Sequence, residues 1–279
     1  MTPVSFSARL MENGIVPAAD NADRFAIARA FVDARDRRSA LIRYPGRPPI
    51  TLAEAYAVQD AALDMWGEPL GGWKVGRINA PLDARLGANR LAGPVPASAI
   101  IEASSDATMT IIDGGFAAGE AEFMVRLAPP SRDAALPNDD AETLRWIDSV
   151  RIGIEIAASP YPGINADGPC VTISDHGNNL GLVLGQEVGR ESWRSLGDVE
   201  IESFIGSSLV GRANASAMLD GPLGAVRFLL ANMAQRGIAW QPGWWISTGA
   251  VTGVHKLEPD QTYRAVFTGI GEVECRVEI

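Results

Sequence analysis

The sequence predicts an α+β protein: a mixed, β-rich domain behind a helical N-terminal cap. Apolar residues recur at helical spacing in the N-terminal third of the chain. From Gly71 onward, short apolar segments alternate with glycine and proline turns, which is typical of many short strands. At 279 residues the chain allows one large domain or two modest ones. We expect one functional unit, with residues 1–70 as the cap and residues 71–279 as the catalytic domain.

Two helices are predicted in the cap. The first covers residues 21–42, where Phe25, Ala28, Phe31 and Val32 follow a helical repeat. The second runs from Thr51 to about Trp66. It begins with Thr51-Leu-Ala-Glu54, a capping box in which the hydroxyl and carboxylate satisfy each other's free backbone N–H groups.

The remainder of the chain is predicted to be mainly strand. Apolar segments bounded by turn residues predict strands at residues 71–78, 108–113, 120–127, 150–157, 179–185, 198–206, 244–248, 263–269 and 273–279. Helical spacing predicts two further helices, at residues 140–150 and 221–237. Few long helices among many short strands favour the α+β class.

Composition and charge exclude several classes of protein. Apolar residues make up 47% of the chain, enough for a core without disulfides or metal staples. The formal net charge of −10 argues against nucleic acid as a partner, because binding phosphate requires clustered cations. No long apolar run predicts a membrane span, so we expect no membrane association. The N-terminal residues lack the basic flank and apolar stretch of a secretory signal.

Cysteine and histidine usage narrows the chemistry. Cys170 and Cys275 are the only cysteines, so a disulfide framework is not expected and a cytoplasmic location fits best. The only histidines are His176 and His255, which excludes a three-histidine metal site. A metal site in this chain must therefore use carboxylates, which favour hard ions such as Mg²⁺ or Mn²⁺.

Three glutamates are the candidate metal ligands. Glu120 and Glu122 are two residues apart in a predicted strand, so their side chains share a face. Glu155 lies among isoleucines in RIGIEIAAS, with small residues on its own face. If the three carboxylates converge, they form a magnesium-type site with open positions. The pattern alone leaves open a charged, exposed strand face or a charge-protected edge strand.

Lys74 is the candidate acid/base residue. It lies in GGWKVGRI, among glycines and apolar residues, so burial would lower its pKa toward the working range of a proton-transfer group. The alternative is a lysine that reaches out to solvent.

The ordered set of these motifs resembles the 2-keto-4-pentenoate hydratase family, the hydratase and decarboxylase branch of the fumarylacetoacetate hydrolase superfamily. The resemblance extends from about Thr51 to the C-terminus. The matching motifs are GWKVG around Lys74, GANRLAGP at residues 87–94, Glu120-Ala-Glu122, Ile154-Glu155-Ile156, SDHGN at residues 174–178, GLVLG at residues 181–185 and STGA at residues 247–250.

The resemblance implies both a fold and a mechanism. The fold is a β-rich mixed sheet rolled around the active site, like the C-terminal domain of fumarylacetoacetate hydrolase. Mg²⁺ or Mn²⁺ would be held by Glu120, Glu122 and Glu155, and the substrate would be a small 2-oxo acid. Lys74 would move a proton on a dienol, and water would then add to the conjugated ketone. A homo-oligomer is also implied.

The resemblance places further residues at the site, with departures. Asn89 is a candidate catalytic residue, aligned with an aspartate that the family usually carries. Asp175, His176 and Thr248 are candidate substrate-binding residues. His176 could instead bond nearby backbone, and Thr248 could close an ordinary strand-end turn. The family's Asp-Ser-Arg pattern after the third ligand is replaced by AASPYP at residues 157–162, and the loop usually reading Asp-Asn-Ala-Ser departs after Asp175.

These observations favour a hydratase acting on a 2-hydroxy-dienoate or 2-oxo-enoate such as 2-hydroxypenta-2,4-dienoate. The same electron sink could serve a 2-oxo-enedioate decarboxylase. An acylpyruvate hydrolase ranks lower, because the N-terminal region contains no histidine for a His–Glu dyad. The departures also leave open a divergent ligand-binding or biosynthetic relative.

Overall fold

The computed structural model describes residues 18–129, 131 and 134–279. Its helices are α1 (Ala18–Asp36), α2 (Leu52–Met65), α3 (Leu82–Leu86), α4 (Asp140–Thr143), α5 (Pro169–Ser174) and α6 (Gly221–Gln235). Its strands are β1 (Leu70–Arg77), β2 (Arg90–Pro96), β3 (Ile100–Glu102), β4 (Thr108–Thr110), β5 (Phe116–Leu127), β6 (Ile147–Ser159), β7 (Asn179–Glu187), β8 (Glu200–Ile205), β9 (Ser208–Asn214), β10 (Trp245–Ser247), β11 (His255–Lys256), β12 (Thr262–Phe267) and β13 (Gly271–Glu278). The N-terminal residues used to argue against a secretory signal lie outside the described residues. Among the described helices, none combines the length and hydropathy needed to cross a bilayer.

The larger sheet is mixed and carries the candidate site. Its strands follow the order β2-β1-β10-β5-β6-β7-β3, and the short strand β11 pairs with β5 beside this path. β1 is parallel to β10 and β3 is parallel to β7, whereas the other neighbours are antiparallel. The long central hairpin of β5 and β6 continues over about the whole length of both strands. The predicted β-rich α+β fold with a rolled mixed sheet is confirmed.

The second sheet closes the core over one face of the first. Its order is β4-β13-β12-β8-β9, and its apolar side packs on the larger sheet together with α6. Phe123 of β5 and Phe267 of β12 meet edge to face at 5.4 Å between ring centres. Alternate residues of β5 face this core, which directs the intervening residues, including Glu120 and Glu122, to the opposite face.

The N-terminal helices pack directly on the larger sheet. Ile27 and Phe31 of α1 and Val58 of α2 are buried with Phe116 of β5 and Ala157 of β6. The capping box at the start of α2 is present as predicted, with Thr51 and Glu54 exchanging hydrogen bonds. The first helix ends at Asp36, earlier than the predicted residue 42.

Two further segments also differ from their predicted extent. Only Asp140–Thr143 of the predicted helix at residues 140–150 is helical, and β6 begins at Ile147. Strand pairing with β5 and burial of Ile147 outweigh the helical spacing in this segment. The motif GANRLAGP at residues 87–94 was interpreted as a turn. The chain becomes strand β2 at Arg90, however, and β2 pairs with β1 along the whole length of β2.

A buried ion pair between Arg35 and Asp175 links α1 to the loop before β7. One edge of the Arg35 guanidinium donates to both oxygens of Asp175, at 2.6 Å from Nε to Oδ1 and 2.9 Å from Nη2 to Oδ2. Arg35 also donates to the carbonyl oxygens of Ala158 and Asn179. Asp175 is fully buried, so this pair is a geometric link between the cap and the loop that precedes β7.

Removal of Arg35 is expected to destabilise the protein strongly. In Arg35→Ala the Asp175 carboxylate stays buried without a cation, and such losses cost about 3–5 kcal/mol. The measurement is the free energy of unfolding from urea titration at neutral pH. Arg37→Ala on the same helix is the control, because the Arg37–Asp33 pair is exposed and its loss should cost less than about 0.5 kcal/mol. Equal stability of the two variants would contradict the assigned role of Arg35.

Candidate metal centre and active site

Three buried carboxylates converge at the centre of the larger sheet. Glu120 on β5 is the direct register partner of Glu155 on β6, and Glu122 lies two residues further along β5 on the same face. Their ligand oxygens all lie within 4.8 Å of one another. Glu120 is 5% exposed, and Glu122 and Glu155 are fully buried. The register of one antiparallel hairpin therefore assembles the three predicted ligands.

Neighbouring strands hold the carboxylates in place. Ser247 Oγ donates to Oε2 of Glu122, and the backbone N–H of Gly249 donates to the same oxygen at 2.7 Å. Asn179 Nδ2 donates to Oε1 of Glu155 at 2.9 Å. Sequence reasoning missed Asn179 and Ser247 as supporting groups, although Ser247 begins the STGA motif and Asn179 directly follows SDHGN.

One oxygen on each of two carboxylates is left without a hydrogen-bond donor. Among the described residues, Oε1 of Glu122 and Oε2 of Glu155 have no partner, although both atoms are buried. Buried carboxylate oxygens without a donor are costly unless a cation approaches them. The donor set is all oxygen, which suits a hard divalent cation.

The electrostatics of the cluster also favour a bound cation. Burial and the neighbouring Glu155 raise the pKa of Glu120 to about 7, although Lys74 opposes this shift. Burial, Glu155 and Glu120 raise the pKa of Glu122 well above its ordinary value. The charged forms of Glu120 and Glu122 are thus disfavoured by their surroundings, and positive charge at the centre of the cluster would relieve this penalty.

Lys74 contacts the cluster from β1. Its Nζ lies 3.1 Å from Oε1 of Glu155, and its side chain is 5% exposed. Burial disfavours the ammonium, but Glu155, Glu120 and Glu122 together raise the pKa of Lys74 above its ordinary value. The prediction that Lys74 is buried is confirmed. In the site without a cation, the three carboxylates outweigh desolvation and raise the pKa of Lys74, opposite to the expected lowering.

A cavity of about 650 Å³ opens onto Lys74 and Glu120. Its lining includes Thr248 and Gly249 at the end of β10, and Gly177 and Asn178 in the loop before β7. A volume of this size accommodates a small organic acid. Neither His176 nor His255 is among the described residues that line it.

Asp175 and His176 are buried and are not among the described residues that line the cavity. Both carboxylate oxygens of Asp175 accept hydrogen bonds from Arg35, so this side chain is paired with another residue of the protein. The His176 ring packs on Trp66 at 4.3 Å between ring centres. Burial, then the Arg35 charge, lowers the pKa of His176 to about 3, so the ring is neutral at physiological pH. Their predicted contact with substrate stays a prediction.

Thr248 and Asn89 are placed differently. Thr248 lines the cavity, and its hydroxyl donates to the carbonyl oxygen of Phe123 at 2.9 Å. Asn89 is exposed, outside the described lining, and its own carbonyl oxygen accepts from Ile78. The structure therefore groups Lys74 with the three glutamates and does not bring Asn89 to them.

The comparisons with known proteins identify the fold. No family model matches the sequence, and a search of curated proteins found no match. Among solved structures, 4-oxalocrotonate decarboxylase from Pseudomonas putida G7, complexed with magnesium and adipate, matches with a TM-score of 0.77. The identity is 20%, over 95% of this chain and 100% of that chain. This chain shares the fold of that decarboxylase.

More distant matches have the same architecture and other activities. A 5-carboxymethyl-2-hydroxymuconate delta-isomerase from Mycobacterium smegmatis matches with a TM-score of 0.53 and 20% identity, over 75% of this chain and 80% of that chain. Fumarylpyruvate hydrolase from Pseudomonas aeruginosa, in complex with Mn²⁺ and pyruvate, matches with a TM-score of 0.54 and 16% identity, over 74% of this chain and 88% of that chain. Structural matches at such low identity show only that the fold is shared, so the activity has to be argued from the site.

Proposed function

We propose that this chain is a divalent-metal-dependent hydratase that adds water to a 2-hydroxy-dienoate or 2-oxo-enoate, such as 2-hydroxypenta-2,4-dienoate. The observation that carries the proposal is the buried cluster of Glu120, Glu122 and Glu155 with Lys74 at 3.1 Å from Glu155. This arrangement places the proposed cation site beside the Lys74 ammonium, and Lys74 and Glu120 both line a cavity of suitable size.

The proposed cofactor is Mg²⁺ or Mn²⁺, held by the three glutamates. The all-oxygen donor set, the two unpartnered oxygens and the raised carboxylate pKa values support this assignment. Solved structures with the same fold contain magnesium or Mn²⁺ with small carboxylic acids. When bound, the cation would act as a Lewis acid on the 2-oxygen of the substrate and stabilise negative charge there.

Lys74 would carry the proton transfers. Its ammonium would protonate the far end of the dienol system, which converts the dienol into an α,β-unsaturated ketone and leaves a neutral amine. The 2-hydroxyl proton of the dienol would leave to solvent in this step. Lys74 would then take a proton from the incoming water, return it to the carbon next to the ketone, and regain its ammonium proton from solvent. The net change is the addition of one water, with no oxidant or reductant required.

The cavity wall would orient the substrate. Thr248 and Gly249 lie beside Glu120 in the lining, and Gly249 uses its N–H to fix Glu122. A bound substrate would displace water from the cavity, which would strengthen electrostatic interactions at the site. The small-molecule partner is therefore a 2-oxo acid, and the homo-oligomer and cytoplasmic location stay predictions.

A decarboxylase is the second candidate. The match to 4-oxalocrotonate decarboxylase over its complete length favours it. Loss of carbon dioxide from a 2-oxo-enedioate needs the same stabilisation of an enolate, so the inner site fits both reactions. The two reactions differ in one reactant, because hydration consumes a water molecule and decarboxylation does not.

The test is a panel of 2-oxo acids followed by ultraviolet absorbance and product analysis, with Mg²⁺, with Mn²⁺ and with chelator. The proposal expects metal-dependent conversion of 2-hydroxypenta-2,4-dienoate to a 4-hydroxy-2-oxo acid. Carbon dioxide release from a 2-oxo-enedioate, without hydration, would instead assign the decarboxylase. Pyruvate release from an acylpyruvate would assign a hydrolase, and an inactive panel would favour a ligand-binding relative.

A further inference from the structure

The cavity is much larger than a five-carbon acid requires. Its volume is about 650 Å³. A five-carbon 2-oxo acid has eight non-hydrogen atoms and takes the place of roughly six water molecules, or about 180 Å³ at about 30 Å³ for each water. Most of the cavity is therefore left over when the reacting end of such an acid lies beside Lys74 and Glu120, so a longer substrate has room for a tail.

Four apolar side chains contribute to the cavity wall. Met218, Leu219, Val251 and Val254 all belong to the lining. Met218 and Val251 are buried with the core, whereas Leu219 is 40% exposed and Val254 is 51% exposed. A ligand that covers exposed apolar surface of this kind gains free energy in proportion to the area that it removes from water. The wall therefore favours an apolar group in the space that a short acid leaves empty.

This apolar wall begins beside the candidate metal ligands. The backbone N–H of Gly249 donates to Oε2 of Glu122 at 2.7 Å. A Cβ on Gly249 would lie 3.4 Å from Cε of Met218, so the tip of Met218 approaches the residue that holds Glu122. Leu219, which is exposed, follows Met218 directly in the chain. Apolar surface thus continues from the metal centre toward solvent.

The segment that follows β10 provides a second continuous stretch of wall. All seven residues from 248 to 254 line the cavity. The N–H of Val251 donates to the carbonyl oxygen of Ala121 at 3.0 Å, and Ala121 lies between two of the candidate metal ligands in the sequence. Val254, three residues further along, is exposed. This segment also leads from the metal centre to apolar surface in contact with water.

The arginines of the lining fit an anionic tail less well. Arg90 is buried and already paired, because its Nη2 lies 2.5 Å from Oδ1 of Asp220. Arg77 is exposed and lies three residues after Lys74 on β1. Side chains at this odd spacing point to opposite faces of a strand, so Arg77 is directed away from the face that carries Lys74. The wall that approaches the metal centre is apolar, which favours an apolar tail.

We propose that the substrate of this site is a 2-oxo acid with a hydrocarbon tail of about three or more carbons, packed on Met218, Leu219 and Val254. This inference rests on the proposed hydratase function. In the dienol, the tail begins at the carbon that Lys74 would protonate, at the end of the conjugated system away from the 2-oxygen. The proton transfers and the addition of water are unchanged, because none of them involves the tail.

The test measures the binding of saturated 2-oxo acids to the Mn²⁺-loaded protein by titration calorimetry. These acids lack the C=C bond to which water adds, so binding is observed without turnover. From 2-oxopentanoate to 2-oxooctanoate, we expect the dissociation constant to fall about three- to fourfold for each added CH₂ group, or about 30- to 60-fold in total, as burial of each group predicts.

Two matched double variants locate the tail. Leu219→Asn combined with Val254→Thr removes apolar surface from the cavity wall, so the gain for each CH₂ group should fall below about twofold. The control is Leu209→Asn combined with Val210→Thr on β9. Leu209 and Val210 are comparably exposed, at 49% and 37%, but are not among the described residues that line the cavity. This control should therefore behave as the unmodified protein.

The outcomes distinguish failure of this inference from failure of the proposed function. Equal dissociation constants for 2-oxopentanoate and 2-oxooctanoate would overturn the inference and leave the hydratase proposal intact, as would an undiminished gain in the cavity variant. Tighter binding of 2-oxooctanedioate than of 2-oxooctanoate, abolished in Arg77→Gln, would overturn it in favour of an anionic tail. Absence of Mn²⁺-dependent binding by every acid would overturn the proposed metal-dependent function, and this inference with it.

Discussion

Glu122→Gln is expected to abolish metal-dependent turnover without unfolding the protein. Changes to groups that only orient metal ligands cost about 10- to 100-fold in metal affinity, so loss of a ligand charge should cost more than about 100-fold. Titration calorimetry with Mn²⁺ and activity assays with Mg²⁺ and Mn²⁺ measure the effect. The side chains are nearly equal in size, so Ser247 and Gly249 can still donate to the amide oxygen.

The stability of the Glu122→Gln variant distinguishes loss of metal binding from misfolding. The pKa of Glu122 is raised in the folded protein, so burial of its charged form opposes folding above the ordinary pKa of a carboxyl group. A neutral amide removes that cost, and the free energy of unfolding with chelator should be equal to or above that of the unmodified protein. Glu274→Gln, on an exposed position of β13, should change neither property. Unchanged Mn²⁺ affinity in Glu122→Gln would refute the ligand assignment.

Lys74→Met is expected to separate metal binding from turnover. The methionine side chain fills similar space but carries no proton, so turnover should fall by about 100- to 10,000-fold. The three carboxylates lose their neighbouring cation, so Mn²⁺ affinity should be retained or increased. With chelator present, the variant should be less stable by about 3–5 kcal/mol, because Glu155 stays buried without its ion-pair partner.

The chain itself supplies the control for Lys74→Met. Lys256 is the other lysine of the sequence and is exposed on β11, so Lys256→Met should behave as the unmodified protein in all three measurements. Full turnover by Lys74→Met would remove Lys74 from the reaction. A parallel loss of Mn²⁺ affinity and turnover would show instead that Lys74 only maintains the shape of the metal centre.

The core of the candidate site could be predicted because it follows from local periodicity and one hairpin. The spacing of Glu120 and Glu122 puts them on one strand face, and the small residues around Glu155 leave room beside it. Their convergence required the register of β5 against β6, which the sequence indicated only through the resemblance. The capping box at Thr51 is equally local, and it formed as predicted.

Elements governed by distant contacts were predicted less well. The helical spacing at residues 140–150 gave way to pairing with β5, because a central strand position buries Ile147 better than a surface helix would. Asn89 is one residue before β2, and it is not among the described residues that line the cavity, although Arg90 and Leu91 directly after it are. Neither outcome can be read from residues close in the sequence.

The sequence by itself determined the α+β class, which follows from local periodicity, and through the resemblance it indicated three glutamates as candidate metal ligands and Lys74 as their companion. Only the tertiary structure decided the charge state and the surroundings of these groups. It placed three carboxylates around Lys74 and so reversed the expected direction of its pKa shift. It also paired Asp175 with Arg35 across 140 residues. Desolvation and Coulomb interactions depend on distances in space, and the order of residues along the chain does not contain them.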